Sequence, residues 1–283
     1  MSATIGGIDH VIVLVRDLDA AETLWWSLGF RPTPRGVHSP HMGTHNTTIV
    51  LGDATYVELM AVHTPTSANA GERAFLEERE GLFGFVGKTD DARAAAKVFE
   101  AAGFGPCEAL DFGRPVDLPT GPAEARFSVA RPQPGAAPGA VFFVCQHHTP
   151  EAVWRPDHLD QPNGVAGLVE LVGVARDLDA VAHGYARLMH GQVRRFTDAV
   201  AIGETGPALR FLTPEALRRR FGAVIEPLVG TAPALVALVF ATTDPEAFRR
   251  AAGDRAVDGP AGEIMVPPGE ADGVLLVVEP KLR

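Results

Sequence analysis

Cysteine is nearly absent from this chain: Cys107 and Cys145 are the only two among 283 residues. Two cysteines cannot make a disulfide framework, and these two do not form a Cys-x-x-Cys pair. A stapled secreted fold and a dithiol redox centre are both unexpected. Long hydrophobic runs are missing too, since every apolar stretch falls well short of the roughly 20 residues that span a bilayer. The N-terminus has neither the basic start nor the long apolar core of an export signal. A cytoplasmic protein with no membrane partner is the expectation. Positive charge is also in deficit, with 25 Lys and Arg against 35 Asp and Glu and a net charge of −10. Phosphate binding wants a basic face, so no nucleic-acid partner is expected. Arg218-Arg219-Arg220 is a local exception that reads as the basic end of a short helix. There is no Gly-x-Ser-x-Gly elbow, no Walker phosphate loop and no dinucleotide fingerprint after a strand.

What the chain does have is a repeated phrase. Gly7-Ile8-Asp9-His10-Val11-Ile12-Val13-Leu14-Val15-Arg16-Asp17-Leu18-Asp19-Ala20 is an apolar, β-branched run followed by a breaker and the start of a helix. It returns as Gly167-Leu168-Val169-Glu170-Leu171-Val172-Gly173-Val174-Ala175-Arg176-Asp177-Leu178-Asp179-Ala180. Such a repeat implies a fold assembled from copies of one unit. In the first copy the pattern predicts a strand from Ile8 and a helix over Leu18 to Leu28 stopped by Gly29. Strands follow near Phe30 to Arg35, His45 to Leu51 and Thr55 to Val62. The second copy starts at Leu82, the third at Gly164 and the fourth at Ala234, giving four βαβββ units. One small sheet with one helix leaves a face uncovered, so the units are expected to pair into two domains. The boundaries read as 1–148, a polar proline-bearing connection at 149–163, and 164–283. The expected fold class is α+β with two curled mixed sheets.

A βαβββ unit with His on its first strand and Glu on its fourth resembles the vicinal oxygen chelate superfamily, which includes glyoxalase I, extradiol dioxygenases and fosfomycin resistance proteins. Asp9-His10-Val11, His38 with Gly43-Thr44-His45-Asn46, and Tyr56-Val57-Glu58-Leu59 are similar to the bacterial glyoxalase-like domain proteins. Phe142-Phe143-Val144-Cys145-Gln146-His147-His148-Thr149-Pro150 and Pro162-Asn163-Gly164 fit them as well. The resemblance implies one divalent metal ion, Fe, Mn, Zn or Ni, and a small organic substrate that chelates it through neighbouring oxygens. Lyase, isomerase and ring-cleaving dioxygenase chemistry all fall within it. A metal-free protein that sequesters a small ligand in the same cup is the alternative, and a homodimer is left open.

The residues single out Glu58. It sits in the otherwise apolar strand Tyr56-Val57-Glu58-Leu59-Met60, and a buried carboxylate must be paired, protonated or bound to a cation. Read as a two-residue hairpin loop, Gly52-Asp53 sets Thr47 opposite Glu58 and His45 opposite Met60. His45 then becomes the diagonal neighbour of Glu58, and the resembled fold brings His10 alongside. His10, His45 and Glu58 are thus the expected metal ligands, a two-histidine, one-carboxylate set. Glu58 and the loop residue His38 are the expected proton-handling groups, with His147 as a further ligand or a proton shuttle. By alternation Cys145 and His147 share one face and Gln146 and His148 the other. His41, Thr44, Asn46, Gln146 and Arg155 are the expected substrate contacts. The third copy has Glu170 where His10 stands and no carboxylate in Ala208-Leu209-Arg210-Phe211-Leu212, so the metal is expected in the first half.

Overall fold

The computed structural model describes residues 5–118, 121–189, 193–203, 206–230 and 232–280. Its first half contributes β1 (Ile5–Val15), α1 (Leu18–Ser27), β2 (Gly36–Val37), β3 (Thr44–Val50), β4 (Tyr56–Val62), α2 (Ala70–Glu78), β5 (Gly81–Thr89), α3 (Ala92–Ala101), β6 (Ala109–Leu118), β7 (Gly121–Ala130) and β8 (Val141–His147). The short helix α4 (Pro156–Leu159) lies in the connection. The second half contributes β9 (Val165–Val174), α5 (Leu178–Met189), β10 (Val193–Arg195), β11 (Ala199–Ile202), β12 (Ala208–Leu212), α6 (Pro214–Phe221), α7 (Glu226–Val229), β13 (Ala234–Thr242), α8 (Pro245–Ala252), β14 (Val257–Asp258), β15 (Ile264–Val266) and β16 (Leu275–Pro280).

Four βαβββ units are present, and they pair into two eight-stranded sheets of the same order. The first runs β2-β3-β4-β1-β5-β8-β7-β6 and the second β10-β11-β12-β9-β13-β16-β15-β14. In each unit the first strand lies parallel to the fourth, while the first strands of paired units run antiparallel at the centre. Each crossover helix begins on an aspartate. Asp17, Asp91, Asp177 and Asp244 accept from the free backbone N–H groups of Ala20, Ala94, Ala180 and Ala247. Gly29 at φ +76° then releases α1. The strand expected over Phe30 to Arg35 shrinks to Gly36–Val37, because Pro32 and Pro34 bring no N–H to a ladder.

Sheet faces sort the side chains. The back of the first sheet, with Val11, Val13, Ile49, Val57, Leu59, Phe85 and Phe142, joins the helices and the second sheet in one continuous core. Phe30 lies 5.8 Å from the Phe240 ring and 6.4 Å from that of Phe248, so the halves are packed together. The connection is held down as well: Gln161 donates to the Val50 carbonyl at 2.8 Å and Asn163 to that of Leu28 at 3.0 Å. The other face of the first sheet is a concave cup whose edges approach each other. Arg114 of β6 and Asn46 of β3 crowd the space where a Cβ on Gly36 of β2 would stand, although β2 and β6 are opposite edges of the sheet.

The cup of the second sheet is filled. Leu217 and Phe221 of α6 and Leu228 and Val229 of α7 pack onto Val172, Val236, Val239 and Val277 as a separate apolar cluster. The three arginines at the end of α6 are paired, Arg218 with Glu226, Arg219 with Asp198 and Arg220 with Glu170. No helix among the described residues is long and apolar enough to cross a membrane.

Candidate functional site

The concave face of the first sheet collects His10 from β1, Asn46 from β3, Tyr56 and Glu58 from β4, Phe127 from β7 and Phe143, Cys145 and His147 from β8, with Phe75 and Leu76 of α2 and Ala152, Val153 and Trp154 of the connection packed over them. Register decides which side chains enter it. The β3–β4 turn has three residues, Gly52, Asp53 and Ala54, with Leu51 bonded to the Thr55 carbonyl at 2.9 Å and Ala54 at φ +60°. Thr48 therefore stands opposite Glu58 and Asn46 opposite Met60. The expected two-residue turn was one residue too short, and a one-residue slip turns every side chain of the strand to the other face. His45 consequently lies on the back of the sheet, its ring 5.3 Å from that of His63, and is not a neighbour of Glu58. The turn is held from outside the hairpin: Asp53 accepts from Thr55 at 2.7 Å and from the Leu168 backbone at 2.8 Å.

Asp9 was not anticipated, because strict alternation sends it away from His10. A β-bulge between Ile8 and His10 opposite β5 breaks that alternation. Bulges re-aim side chains in this way. Asp9, 1% exposed, accepts from His10 Nδ1 at 2.7 Å and from His147 Nε2 at 3.1 Å. Burial alone would raise its pKa, but the two imidazole hydrogen bonds and the rings' charges outweigh it and hold the carboxyl well below the usual range. With Nδ1 turned to Asp9, the His10 ring directs its Nε2 toward Glu58 Oε2, 3.6 Å away.

His38 approaches from the loop before β3. Its Nδ1 donates to Thr44 Oγ1 at 2.7 Å, and its Nε2 stands 3.7 Å from Glu58 Oε1. Burial is the main reason its pKa is lowered; the Glu58 charge opposes that, and Arg114, Arg131 and His10 add to it. Asn46 donates to Glu58 Oε1 at 2.6 Å, while its own Oδ1 is buried without a hydrogen-bond partner. On the far side, His147 packs against Trp154 at 4.6 Å and Phe127 at 5.1 Å, and Tyr56 stacks on His10 at 4.2 Å. His147 Nδ1 and Trp154 Nε1 are likewise buried and unpartnered. Burial, with Asp9 and Glu58 nearby, pushes the Cys145 thiol well up, so it stays a thiol.

Other expected contacts fall elsewhere. Gln146 lies on the back, donating to the Asp90 carbonyl at 2.6 Å and accepting from Ala92 at the start of α3. His41 is exposed in its loop, 3.0 Å from Ser39 Oγ. Arg155 pairs with Asp157 at 2.6 Å, while Ala152, Val153 and Trp154 of the connection pack into the cup. Thr44 holds His38. Arg114 and Arg131, at the mouth, were also missed; only their register and the curl of the sheet bring them there.

Among the described residues, no group of three or more His, Cys, Asp or Glu converges closely enough to be a metal site as it stands. The donor chemistry of His10, His38 and Glu58 nevertheless fits one. Two imidazole Nε2 atoms and a carboxylate face one another, and each imidazole's other nitrogen is tied back by Asp9 or Thr44, as in metal sites with ordered outer hydrogen bonds. Donor atoms about 2.1 Å from a metal lie about 3 Å apart, so the present spacings need to close by about half an ångström.

Sheet order and the curl of the two sheets define a vicinal-oxygen-chelate fold. Residues 8–189 match the glyoxalase-like domain, and the chain belongs to that family. No curated protein matches the sequence. Similar folds include a hypothetical protein from Staphylococcus aureus, with TM-score 0.68 and 10% identity over 97% of this chain and 99% of that one. A mutant 4-hydroxymandelate synthase from Streptomyces coelicolor gives 0.58 at 15% identity, over 98% and 92%. The Mn(II)-bound glyoxalase from Novosphingobium aromaticivorans gives 0.56 at 11%, over 99% and 84%.

Proposed function

We propose that the first half, residues 1–148, is the active domain of a metal-dependent enzyme of lyase, isomerase or dioxygenase type acting on a small organic molecule with vicinal oxygens. His10, His38 and Glu58 would hold the ion; His38 takes the ligand position expected of His45. The observation that carries this reading is the pair of Nε2 atoms, both aimed at one buried carboxylate at 3.6 and 3.7 Å. A divalent ion there supplies Lewis-acid stabilisation of charge developing on substrate oxygens. Asp9 orients His10 and His147 together. Because His147 Nε2–H donates to Asp9, its buried Nδ1 is the free basic atom positioned to take a proton from substrate. Tyr56, Phe127, Phe143 and Trp154 exclude water from that transfer.

One observation favours the metal-free binding reading: Asn46 already satisfies Glu58 Oε1 at 2.6 Å. Elemental analysis of protein purified without chelator separates the two. The enzyme reading expects about one equivalent of iron, manganese, nickel or zinc in the wild type and none in the His10→Ala/Glu58→Ala double variant. No metal in the wild type, even after reconstitution, would leave ligand sequestration as the function.

A further inference from the structure

The chain is acidic overall, and most arginines with a described role are paired with a carboxylate. Two at the cup are not. Arg114 lies opposite Ala125 across the β6–β7 ladder, and Ala125 belongs to the cup's apolar lining, so Arg114 faces inward. Its Nη1 lies 2.6 Å, and Asn46 Oδ1 2.5 Å, from the position a Cβ on Gly36 would take; glycine leaves that space to the guanidinium. Arg131 follows β7 and sets its guanidinium 4.0 Å from the centroid of Phe143, itself 6.2 Å from the His10 ring. Among the described residues neither guanidinium has a hydrogen-bond or ion-pair partner, although Glu72 and Glu58 lie within the field of Arg131.

Two guanidiniums, one from the middle of β6 and one just past β7, stand at the rim of a buried His–Glu cluster with no carboxylate paired to either. Arginine is well suited to forked recognition of a carboxylate, and a cation on an aromatic face is already partly desolvated for it. Below the rim, Phe143, Tyr56, Phe127 and Trp154 form an apolar layer around the buried carboxylates of Asp9 and Glu58. We infer that the site takes a small organic carboxylate with a planar apolar body, the carboxylate received by Arg114 and Arg131 and the body laid against Phe143 and Tyr56. This rests on the cup being the functional site and deepens that reading; it does not require the metal.

The test is calorimetric titration of the full chain, stripped with chelator, with phenylglyoxylate and its neutral amide, which keep the same ring and vicinal oxygens. The anion should bind more tightly than the amide. Arg114→Gln and Arg131→Gln should each weaken the anion about tenfold or more while leaving the amide unchanged, and Arg114→Lys should recover part of the loss. Thermal melts equal to wild type confirm that these rim variants fold. Equal affinity for anion and amide, no heat from either at millimolar concentration, or anion binding indifferent to both Gln variants overturns the proposal. Because the protein is metal-free throughout, such a failure leaves the metal reading standing, and an absence of bound metal leaves this one standing.

Discussion

Arg210 pairs with Glu170 at the register positions that Glu58 and His10 hold in the first half. A second cation, Arg220 from α6, reaches Glu170 at 2.6 Å. The same sheet geometry that gathers a carboxylate and imidazoles in one cup thus gathers an ion-paired cluster in the other, capped by α6 and α7. Removing one partner leaves a buried charge short of compensation. Arg210→Ala should cost about 2–3 kcal/mol in chemical denaturation, with Arg220 moderating the loss.

His38 reaches Glu58 from the loop before β3, whereas the register of β3 puts His45 on the back of the sheet. His38→Ala should lower metal content and turnover together, while His45→Ala should leave both near wild type. Elemental analysis with an activity or ligand-binding assay reads the difference, and metal loss on His45→Ala with His38→Ala unaffected would overturn the choice of His38 as ligand.

Asp272 joins the halves by accepting from Trp25 Nε1 at 2.9 Å. Burial raises its pKa from 3.8 to about 6; the Trp25 bond opposes that, and Glu80 adds to it. Between those values the folded chain binds more protons than the unfolded one, so this contribution is full below 3.8 and is lost as pH rises through 6. Asp272→Asn keeps an acceptor for Trp25, and asparagine tolerates the local φ of +49°. It should flatten the pH dependence of stability between pH 4 and 6 and add about 1–2 kcal/mol at pH 7, after allowance for solvent screening. Denaturation midpoints across that range test it.

Phe30 packs between the halves on Phe240 and Phe248. Phe30→Ala should destabilise by about 3–5 kcal/mol. Fluorescence and circular dichroism should still report one coincident transition, because the two sheets share a core.

His147 Nδ1 is expected to move a proton, so His147→Gln should lower kcat while metal content stays near wild type. Loss of metal in that variant would make His147 a ligand instead.

Four βαβββ units, their pairing and the first helix with its stop at Gly29 were legible in the sequence; the aspartates that start the crossover helices came from the structure, although they too act locally. They rest on local causes: β-branched runs, capping aspartates and a glycine stop act within a few residues. His10 and Glu58 were legible for a similar reason, since a histidine and a carboxylate in apolar strands need a partner wherever the strands go. His45 was misplaced because Asp53 answers to Leu168, 115 residues away, and that bond holds the turn at three residues. Asp9 was missed because the bulge that turns it toward His10 exists only against β5. Arg114 and Arg131 carry no local signal at all; the curl of eight strands brings the edges together. Local composition therefore determined the elements and the candidate pair His10 and Glu58. Long-range pairing decided which of their neighbours share the cup, because a strand's faces are assigned by its partners.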